Sequence, residues 1–352
     1  MPNGVRIAIL WSAPSSYLST GLDALVANGA TLLFIARRVT ADAPHDVKAL
    51  GHIPEYEWEL FPDESLVEQA LTQFCPDVIL TTSWHIPAYR RAAHRWRRKG
   101  AITVLCMDNQ WAATARQWLG VAAFRRLRTY WDVAFVPGER QAAFAYKLGF
   151  DASRQWHGLY PSSIPTKVDP FDEKFRRFLL PARLVHDKGI DILAIAYALY
   201  RKHMGSTAWP LHVAGVGPES NKLTEAGAVQ LGFLTPEDLM RELRQAWCVV
   251  LPSRFEPWGV ALQEGAQSGC VLVSSSAVGA SVHLLHDGFN GFLTVPDDAR
   301  ALAFALERLS ALDDEMLRVM GQRSLNLSEP YDSKIWATTM LRNIRQIQAR
   351  RC

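Results

Sequence analysis

Long hydrophobic runs are absent from this 352-residue sequence. No stretch reaches the roughly eighteen apolar residues of a membrane-spanning helix, so no such helix is expected. The N-terminal stretch Met1–Leu10 holds one short apolar run without a cleavage-like region, so a signal peptide is not expected. Low-complexity tracts and short-period repeats are also missing, and this leaves an ordinary folded chain.

Cysteine motifs are sparse as well. The five cysteines form no Cys-x-x-Cys pair, their number is odd, and four of them lie in apolar surroundings. This pattern disfavours a disulfide framework or a zinc site and predicts reduced core thiols in a cytoplasmic protein. Asp-x-Asp is also absent, so no metal ion held by such a carboxylate pair is expected. We therefore predict neither a metal nor another cofactor.

Charge of one sign does not dominate the chain. Hydrophobic residues make up 49% and charged residues 21%, as in folded proteins, and the formal net charge is only +3. A nucleic-acid partner is therefore not expected. The basic residues are uneven, however, with one cluster at Arg90–Lys99 and another at Arg125, Arg126 and Arg128. A helix over Arg90–Lys99 would present a cationic face suited to the inner surface of an anionic membrane, although an ordinary solvated helix explains it somewhat better.

Short β-rich runs alternate with helical patterns along the chain. Continuous apolar strands joined by helices are typical of parallel sheets covered on both faces. The pattern restarts after residues 161–172, which predicts two α/β units of similar size and a closing helix over Ser333–Arg350. Two such sheets that face each other would form a cleft beyond their strand ends. The predicted strands are Val5–Leu10, Thr31–Ile35, Val78–Thr81, Ile102–Cys106, Val133–Val136, Phe178–Ala182, Leu211–Gly215, Val229–Leu231, Cys248–Leu251 and Val271–Val273.

Two loops of the second unit carry residues suited to phosphate. Arg183 and Lys188 follow a predicted strand and precede a predicted helix, and a guanidinium together with an ammonium suits a diphosphate. Solvated loop cations are the alternative. After the next strand, the pair Gly215 and Gly217 predicts a tight turn that lines a cleft or simply turns the chain. Ser220 stands where a dinucleotide fingerprint needs its third glycine, which disfavours NAD.

The segment RFEPWGVALQEG, residues 254–265, places two carboxylates around a predicted helix start. Glu256 stands in a turn, Glu264 lies within the helix, and the helix would begin near Gly259. Backbone N–H groups and the dipole at that start favour a phosphate, whereas carboxylates only accept hydrogen bonds and so suit sugar hydroxyls. Two surface glutamates that flank a helix start are the alternative.

Together these segments resemble the retaining nucleotide-sugar glycosyltransferases of the GT-B fold, specifically family 4. The resemblance covers about residues 130–325 and depends on the order and spacing of short motifs. It implies two Rossmann-like domains that face each other across a cleft: an acceptor domain over residues 1–165 and a donor domain over 166–332. A terminal helix over 333–352 would cross back to the first domain. The motifs are Ala182–Leu184, Lys188–Gly189, Val213–Pro218, Val229–Leu234, Leu251–Ser253, Glu256–Gly259, Glu264–Ala266, His286–Gly288 and Asn290–Leu293.

The resemblance implies a role for each matching residue. Arg183 and Lys188 would hold the donor diphosphate, and Glu256 would contact the hydroxyls of the donor sugar; these three form the expected catalytic set. Glu264 would bind the ribose. The other donor-binding candidates are Gly217, then Gly232 and Phe233 near the base, and the backbone of Gly259 and Val260 at the phosphate. The implied reaction moves a sugar from a UDP- or GDP-sugar to a glycan or lipid-linked acceptor hydroxyl, with retention and without a metal.

The first unit departs from the family pattern. The loop Trp11–Ser16 lacks the glycine pair that commonly follows the first strand, and Met107 stands where many members have a histidine. Ser12, His85 and Asp108 are therefore the candidates for the acceptor side. Two rival hypotheses remain: a sugar-nucleotide 2-epimerase of the same fold, and a non-catalytic subunit that binds a nucleotide sugar.

Overall fold

A computed structural model describes residues 4–12, 16–37, 55–58, 63–82, 84–162, 164 and 171–351. The chain divides into two compact units. Unit 1 comprises residues 1–163 together with 333–352, and unit 2 comprises residues 164–332. Most of the segment Ser162–Pro170, which the sequence predicts to be a loose connection, lies outside the described residues.

Unit 1 contains a parallel sheet of seven strands. β1 lies at the centre and pairs with β2 on one side and β4 on the other, with Ile9 opposite Phe34 and Leu80. The strand order is β3-β2-β1-β4-β5-β6-β7, so the chain changes direction across the sheet between β1 and β4. The strands are β1 (Arg6–Trp11), β2 (Thr31–Arg37), β3 (Glu55–Trp58), β4 (Val78–Thr82), β5 (Ile102–Cys106), β6 (Val133–Val136) and β7 (Gln155–His157).

Helices cover this sheet. They are α1 (Ser16–Ala27), α2 (Glu64–Phe74), α3 (Pro87–Arg98), α4 (Ala115–Phe124), α5 (Glu139–Lys147) and, after unit 2, α13 (Ser333–Arg351). α3 buries Tyr89 and Trp96, and the Tyr89 hydroxyl donates to the carbonyls of Trp11 and Ile35. α13 packs against α1 within unit 1, where buried Trp336 stacks on Phe135.

Unit 2 contains a second parallel sheet, of six strands. The strands are β8 (Phe175–Pro181), β9 (Leu211–Ala214), β10 (Val229–Gly232), β11 (Ala246–Leu251), β12 (Val271–Ser275) and β13 (Gly291–Thr294), in the order β10-β9-β8-β11-β12-β13. Its helices are α6 (Ile190–Met204), α7 (Ser220–Glu225), α8 (Pro236–Gln245), α9 (Val260–Gln267), α10 (Ser281–Leu284), α11 (Ala299–Ser310) and α12 (Asp314–Ser328). Apolar side chains of β8, β11 and β12 pack against α6 and α11 in the core.

The observed strands include all ten that the sequence predicts, each within a few residues of its predicted bounds. The sequence did not predict β3 and β7 because their polar residues leave no apolar run, and it named β13 only within the family motif Asn290–Leu293.

The prediction of core thiols is correct for Cys106, Cys248 and Cys270, which are buried. It is wrong for Cys75, which ends α2 in a left-handed conformation and is exposed, with its thiol donating to the carbonyl of Thr72. Cys352 lies outside the described residues. Among the helices of the described residues, none combines the length and apolar character needed to cross a bilayer.

Candidate functional site

Lys188 and Glu256 form an ion pair at one edge of the sheet in unit 2. Lys188 lies on the loop after β8, and Glu256 lies on the loop after β11. These strands are neighbours in a parallel sheet, so their following loops emerge at the same edge. The ammonium of Lys188 donates to Oε2 of Glu256, and the two side chains are only 14% and 16% exposed. The fold thus joins two residues that lie 68 positions apart.

Close backbone packing fixes the two loops against each other. Gly189 has a left-handed φ of 67°, and a Cβ atom there would lie 2.3 Å from the carbonyl oxygen of Pro252. The backbone N–H of Arg254 donates to the carbonyl of Asp187 at 2.8 Å. The residues next to Lys188 therefore touch those next to Glu256, and this contact requires glycine at position 189.

Gly215 and Gly217, which follow β9, also allow two loops to pack closely. A Cβ atom would lie 1.9 Å from the carbonyl oxygen of Ala182 if placed on Gly215, and 2.3 Å from that of Leu184 if placed on Gly217. The N–H of Leu184 donates to the carbonyl of Val216 at 3.0 Å. Gly215 and Gly217 thus allow the loops after β9 and β8 to pack together, which explains the Gly-x-Gly pattern without a dinucleotide turn.

The helix α9 begins beside Glu256. Gly259 precedes its first residue, Val260, with a left-handed φ of 100°, and a Cβ there would lie 2.7 Å from Cγ1 of Val278. Because glycine has no side chain to cap the helix, the N–H groups of the first turn face the loop with their partial positive charge. Glu264 lies on the next turn of α9 and is half-buried. This is the predicted order of carboxylate, helix start and carboxylate.

Ser253 belongs to the family motif Leu251–Ser253, but the sequence assigns it no role. It is fully buried, and its Oγ has no hydrogen-bond partner among the described residues. It lies between β11 and Glu256, and its carbonyl accepts a hydrogen bond from the Ser275 hydroxyl. Its position after a buried strand and before Glu256, within the motif Leu251–Ser253, was the signal in the sequence.

Arg254 holds the Glu256 loop in place and was also missed. Its guanidinium donates to both carboxylate oxygens of Asp191 at 2.7 and 2.8 Å, and to Asp297 at 2.5 Å. It also donates to the carbonyl of His186 at 2.8 Å. The hydrogen bonds that Arg254 donates lower the pKa of Asp191 to about 2 despite partial burial, and the same hydrogen bonds raise the pKa of Arg254 further above its ordinary value. Arg254 therefore ties together the loops after β11 and β8.

His186, Asp191 and Glu219 offer ligand atoms that lie within 4.8 Å of one another, as a metal site would require. Arg254 already binds both oxygens of Asp191, however, and Lys222 lies 3.2 Å from Glu219 Oε1. A divalent ion would have to displace these cations, and so the donor set does not favour a resident metal.

The other predicted donor residues lie around this pair. Arg183 is exposed on the loop after β8 and makes no side-chain hydrogen bond or ion pair with a described residue. Gly232 ends β10 with a φ of 73°, and Phe233 follows it with its side chain 55% exposed. The structure thus brings Lys188 and Glu256 into contact, keeps Arg183 available, and places Phe233 two strands away from β8.

The candidates for the acceptor side all lie in unit 1. Ser12 follows β1, exposed His85 follows β4, and Asp108 follows β5, at one edge of three adjacent strands. Asp108 accepts a hydrogen bond from the hydroxyl of Tyr160 at 2.8 Å. Met107 is buried, so Asp108 is the polar group that follows β5 in this protein.

The cationic face expected at Arg90–Lys99 is largely neutralised. Carboxylates of unit 1 pair with four of its cations: Arg91 with Glu64, Arg95 with Glu64 and Glu68, Arg97 with Asp132, and Lys99 with Glu68. The opposite face of α3 is buried against the sheet. The solvated-helix interpretation therefore describes α3 better than a membrane surface does.

Residues 166–326 match the family model described as glycosyl transferases group 1. A glycogen synthase of Mycobacterium tuberculosis (strain CDC 1551 / Oshkosh) is 32% identical over 145 residues, which cover 39% of this chain and 34% of that protein. The chain thus spans about a third of the length of this curated relative. The family match includes the loops that carry Lys188 and Glu256.

Solved structures extend the likeness to nearly the whole chain. A glycosyltransferase from Rickettsia africae matches with a TM-score of 0.78 at 12% identity, covering 99% of both chains. Anabaena HepE, solved in complex with UDP, matches with a TM-score of 0.75 at 17% identity, covering 97% of this chain and all of that one. The predicted two-unit GT-B fold is confirmed.

Proposed function

We propose that this GT-B chain, whose residues 166–326 carry a group 1 glycosyl transferase region, transfers a sugar from a nucleotide diphosphate to an acceptor hydroxyl. The observation that carries the proposal is the buried contact between Lys188 and Glu256 beside the uncapped start of α9. Cations and helix N–H groups suit a diphosphate, whereas a carboxylate suits sugar hydroxyls. The site therefore offers complementary groups to the two halves of such a donor.

The bond that breaks joins the anomeric carbon of the sugar to a phosphate oxygen, and its electron pair leaves with the diphosphate. Lys188, Arg183 and the first turn of α9 would stabilise this growing negative charge, which is the contribution that usually dominates catalysis. The new bond joins the anomeric carbon to the acceptor oxygen, and the acceptor's proton passes to the departing phosphate oxygen. Retention of configuration is part of the proposal and is motivated by the resemblance to the retaining enzymes.

Glu256 would orient the sugar in this scheme. Its side chain is engaged by Lys188, and its carbonyl accepts a hydrogen bond from the N–H of Gly279 at 3.0 Å. A residue that is held at both its backbone and its carboxylate is suited to hold a hydroxyl and to balance positive charge that develops on the sugar ring. Glu264, one turn into α9, would bind the ribose of the nucleotide.

The choice of donor and acceptor is proposed at the level of chemical class. HepE was solved with UDP, which supports a nucleoside diphosphate as the donor fragment. Ser12, His85 and Asp108 on unit 1 are proposed to face the acceptor, a glycan or a lipid-linked intermediate. No resident metal is proposed, because cations of the protein already occupy the available carboxylates.

Incubation of the protein with a panel of UDP- and GDP-sugars, followed by measurement of released nucleotide, tests the proposal. We expect one donor to release UDP or GDP, slowly without an acceptor and faster with one, and we expect Glu256→Ala to abolish the release. Interconversion of donor epimers without nucleotide release would instead indicate a 2-epimerase. Tight donor binding with no release at all would indicate a non-catalytic binding subunit, and either result would overturn the transferase proposal.

A further inference from the structure

The helix α4 presents an apolar face to solvent. Trp118 is 53% exposed and Leu119 is 73% exposed. Ala115 and Ala122, which lie three residues before Trp118 and three after Leu119, are exposed on the same side. Large apolar side chains that adjoin each other on an exposed helix mark a contact surface more often than isolated ones do. We call these four residues the α4 face.

The α4 face is held rigidly. The Trp118 ring packs edge-on against Trp111 with centroids 5.0 Å apart, and the ammonium of Lys147 lies 5.8 Å from the Trp118 ring. On the opposite side of the helix, buried Phe124 stacks on Trp131. Thr114 caps the first turn by accepting from the N–H of Gln117. The exposed apolar residues therefore belong to a packed helix and not to a frayed segment.

The chain segment that contains this face carries positive charge without negative charge. Between Asp108 and Asp132 the sequence contains four arginines and no acidic residue. Arg125, Arg126 and Arg128 follow α4 directly and are exposed, and no carboxylate among the described residues pairs with any of them. This distinguishes α4 from α3, on which Glu64, Glu68 and Asp132 neutralise four cations.

A basic groove adjoins the segment after α4. Tyr130, two residues beyond Arg128, stacks on His94 with ring centroids 4.1 Å apart. Both rings line a shallow groove of about 460 Å³ together with Arg98 and other basic residues of α3. Arg98 has no ion pair with a described residue, so it adds uncompensated positive charge beside the three arginines.

We propose that the α4 face docks on an anionic lipid bilayer, with Trp118 and Leu119 at the acyl boundary and Arg125, Arg126 and Arg128 against lipid phosphates. Apolar and aromatic side chains flanked by cations are the composition of helices that lie in a membrane interface, where tryptophan occupies the headgroup level. The unbalanced positive charge selects an anionic lipid surface over a protein partner that would need its own acidic patch. The proposal holds whether or not unit 2 transfers a sugar.

Vesicle sedimentation with the full chain tests this proposal directly. We expect binding to phosphatidylcholine vesicles that contain phosphatidylglycerol, and weaker binding to pure phosphatidylcholine or at high salt. Each cation near an anionic surface contributes enough that the variant R125Q/R126Q/R128Q should lose roughly a hundredfold in partition coefficient. Trp118→Ala together with Leu119→Ser should weaken binding to both kinds of vesicle.

The matched control is R91Q/R95Q/K99Q, which removes the same amount of charge from the same unit. These cations are already paired with Glu64 and Glu68, so we expect this control to bind anionic vesicles within about threefold of the wild type. Equal loss in both triple variants would show that net charge alone acts, and it would overturn the proposal. Wild-type dimers that bind no vesicles and dissociate on Trp118→Ala would also overturn it, because the face would then join two copies. Circular dichroism and thermal unfolding of each variant establish that it folds.

Discussion

Lys188 and Glu256 neutralise each other before any ligand arrives. Their pair is mostly buried, so each charge needs a partner, and removal of either one leaves a desolvated charge behind. A diphosphate that approaches Lys188 must compete with Glu256, whereas a sugar hydroxyl can join the carboxylate without displacing the ammonium. Substitution of Lys188 should consequently weaken the binding of a diphosphate. Substitution of Glu256 should instead impair the use of the complete donor.

Substitution of Lys188 by alanine should lower the kcat/KM for nucleotide release by about a hundredfold to a thousandfold, the usual effect of removing one charge-stabilising donor. The matched control is Lys222→Ala. Lys222 is another lysine of unit 2 that pairs with a glutamate, Glu219, but its own side chain is 46% exposed. Steady-state kinetics on the preferred donor measure both variants. Equal losses in the two would remove Lys188 from the proposed machinery.

The Arg254–Asp191 pair makes stability depend on pH at the acidic end. Because the pKa of Asp191 is lowered to about 2 from an ordinary value of 3.8, the pair stabilises the folded chain fully above about pH 4, and this contribution is lost as pH falls toward 2. Asp191→Asn should therefore reduce the decline in unfolding free energy between pH 5 and 3. Urea unfolding at several pH values measures this decline.

Asp172→Asn serves as the control for that pH dependence. The side chain of Asp172 is 80% exposed and lies 3.5 Å from Arg318, which is 48% exposed, so its removal should leave the decline close to that of the wild type. An unchanged decline in Asp191→Asn would show that Arg254 does not hold the loop through this carboxylate.

At the level of elements, the start of α9 combines two proposed roles. Glu256, proposed to hold the sugar, lies on the loop before it, and the N–H groups of its first turn are proposed to bind the diphosphate. Gly259 is required there for two reasons: its φ of 100° and the approach of Val278. Gly259→Ala should lower stability by about 2–4 kcal/mol through backbone strain and overpacking, and it should lower donor turnover because the first turn of α9 shifts. Thermal unfolding and nucleotide release measure the two effects.

Gly288→Ala is the control that separates backbone strain from the steric contact of an added Cβ atom. Gly288 has a left-handed φ of 71° but nothing within 4 Å of the position of its Cβ, so only the backbone cost of about 1 kcal/mol applies. If Gly259→Ala costs no more than Gly288→Ala and keeps its turnover, the packing of α9 against Val278 is not needed to position the site.

The helices α3 and α4 show why composition alone did not identify the proposed membrane surface. Seven basic residues crowd residues 90–99, whereas residues 116–128 hold four, so the sequence favours α3. The acidic partners of α3 come from α2 and from Asp132, more than twenty positions away, and only the fold brings them within reach. Exposure of Trp118 likewise depends on which face of α4 packs against the sheet.

For the whole molecule, the sequence predicted the two sheets because long apolar strands and periodic helices identify themselves locally. It also predicted that Lys188, Glu256 and the start of α9 belong to one site, because each follows a strand of the same sheet. The roles of Arg254, Asp191 and Ser253 escaped prediction, since an arginine clamp and a buried hydroxyl depend on contacts between loops that no local pattern encodes. The acceptor side is the least predictable part because its loops depart from the family pattern.

Titration of UDP and GDP into the wild type, Lys188→Ala and Glu256→Gln is the measurement that tests the central claim most directly. If Lys188 binds the diphosphate and Glu256 the sugar, then Lys188→Ala should weaken binding of the nucleoside diphosphate at least tenfold by loss of a charge-assisted bond. Glu256→Gln should bind the same diphosphate as tightly as the wild type or more tightly, because Lys188 is released, and yet it should fail to turn over the complete donor. Diphosphate binding that is unaffected by Lys188→Ala, or weakened equally by both substitutions, would contradict the account.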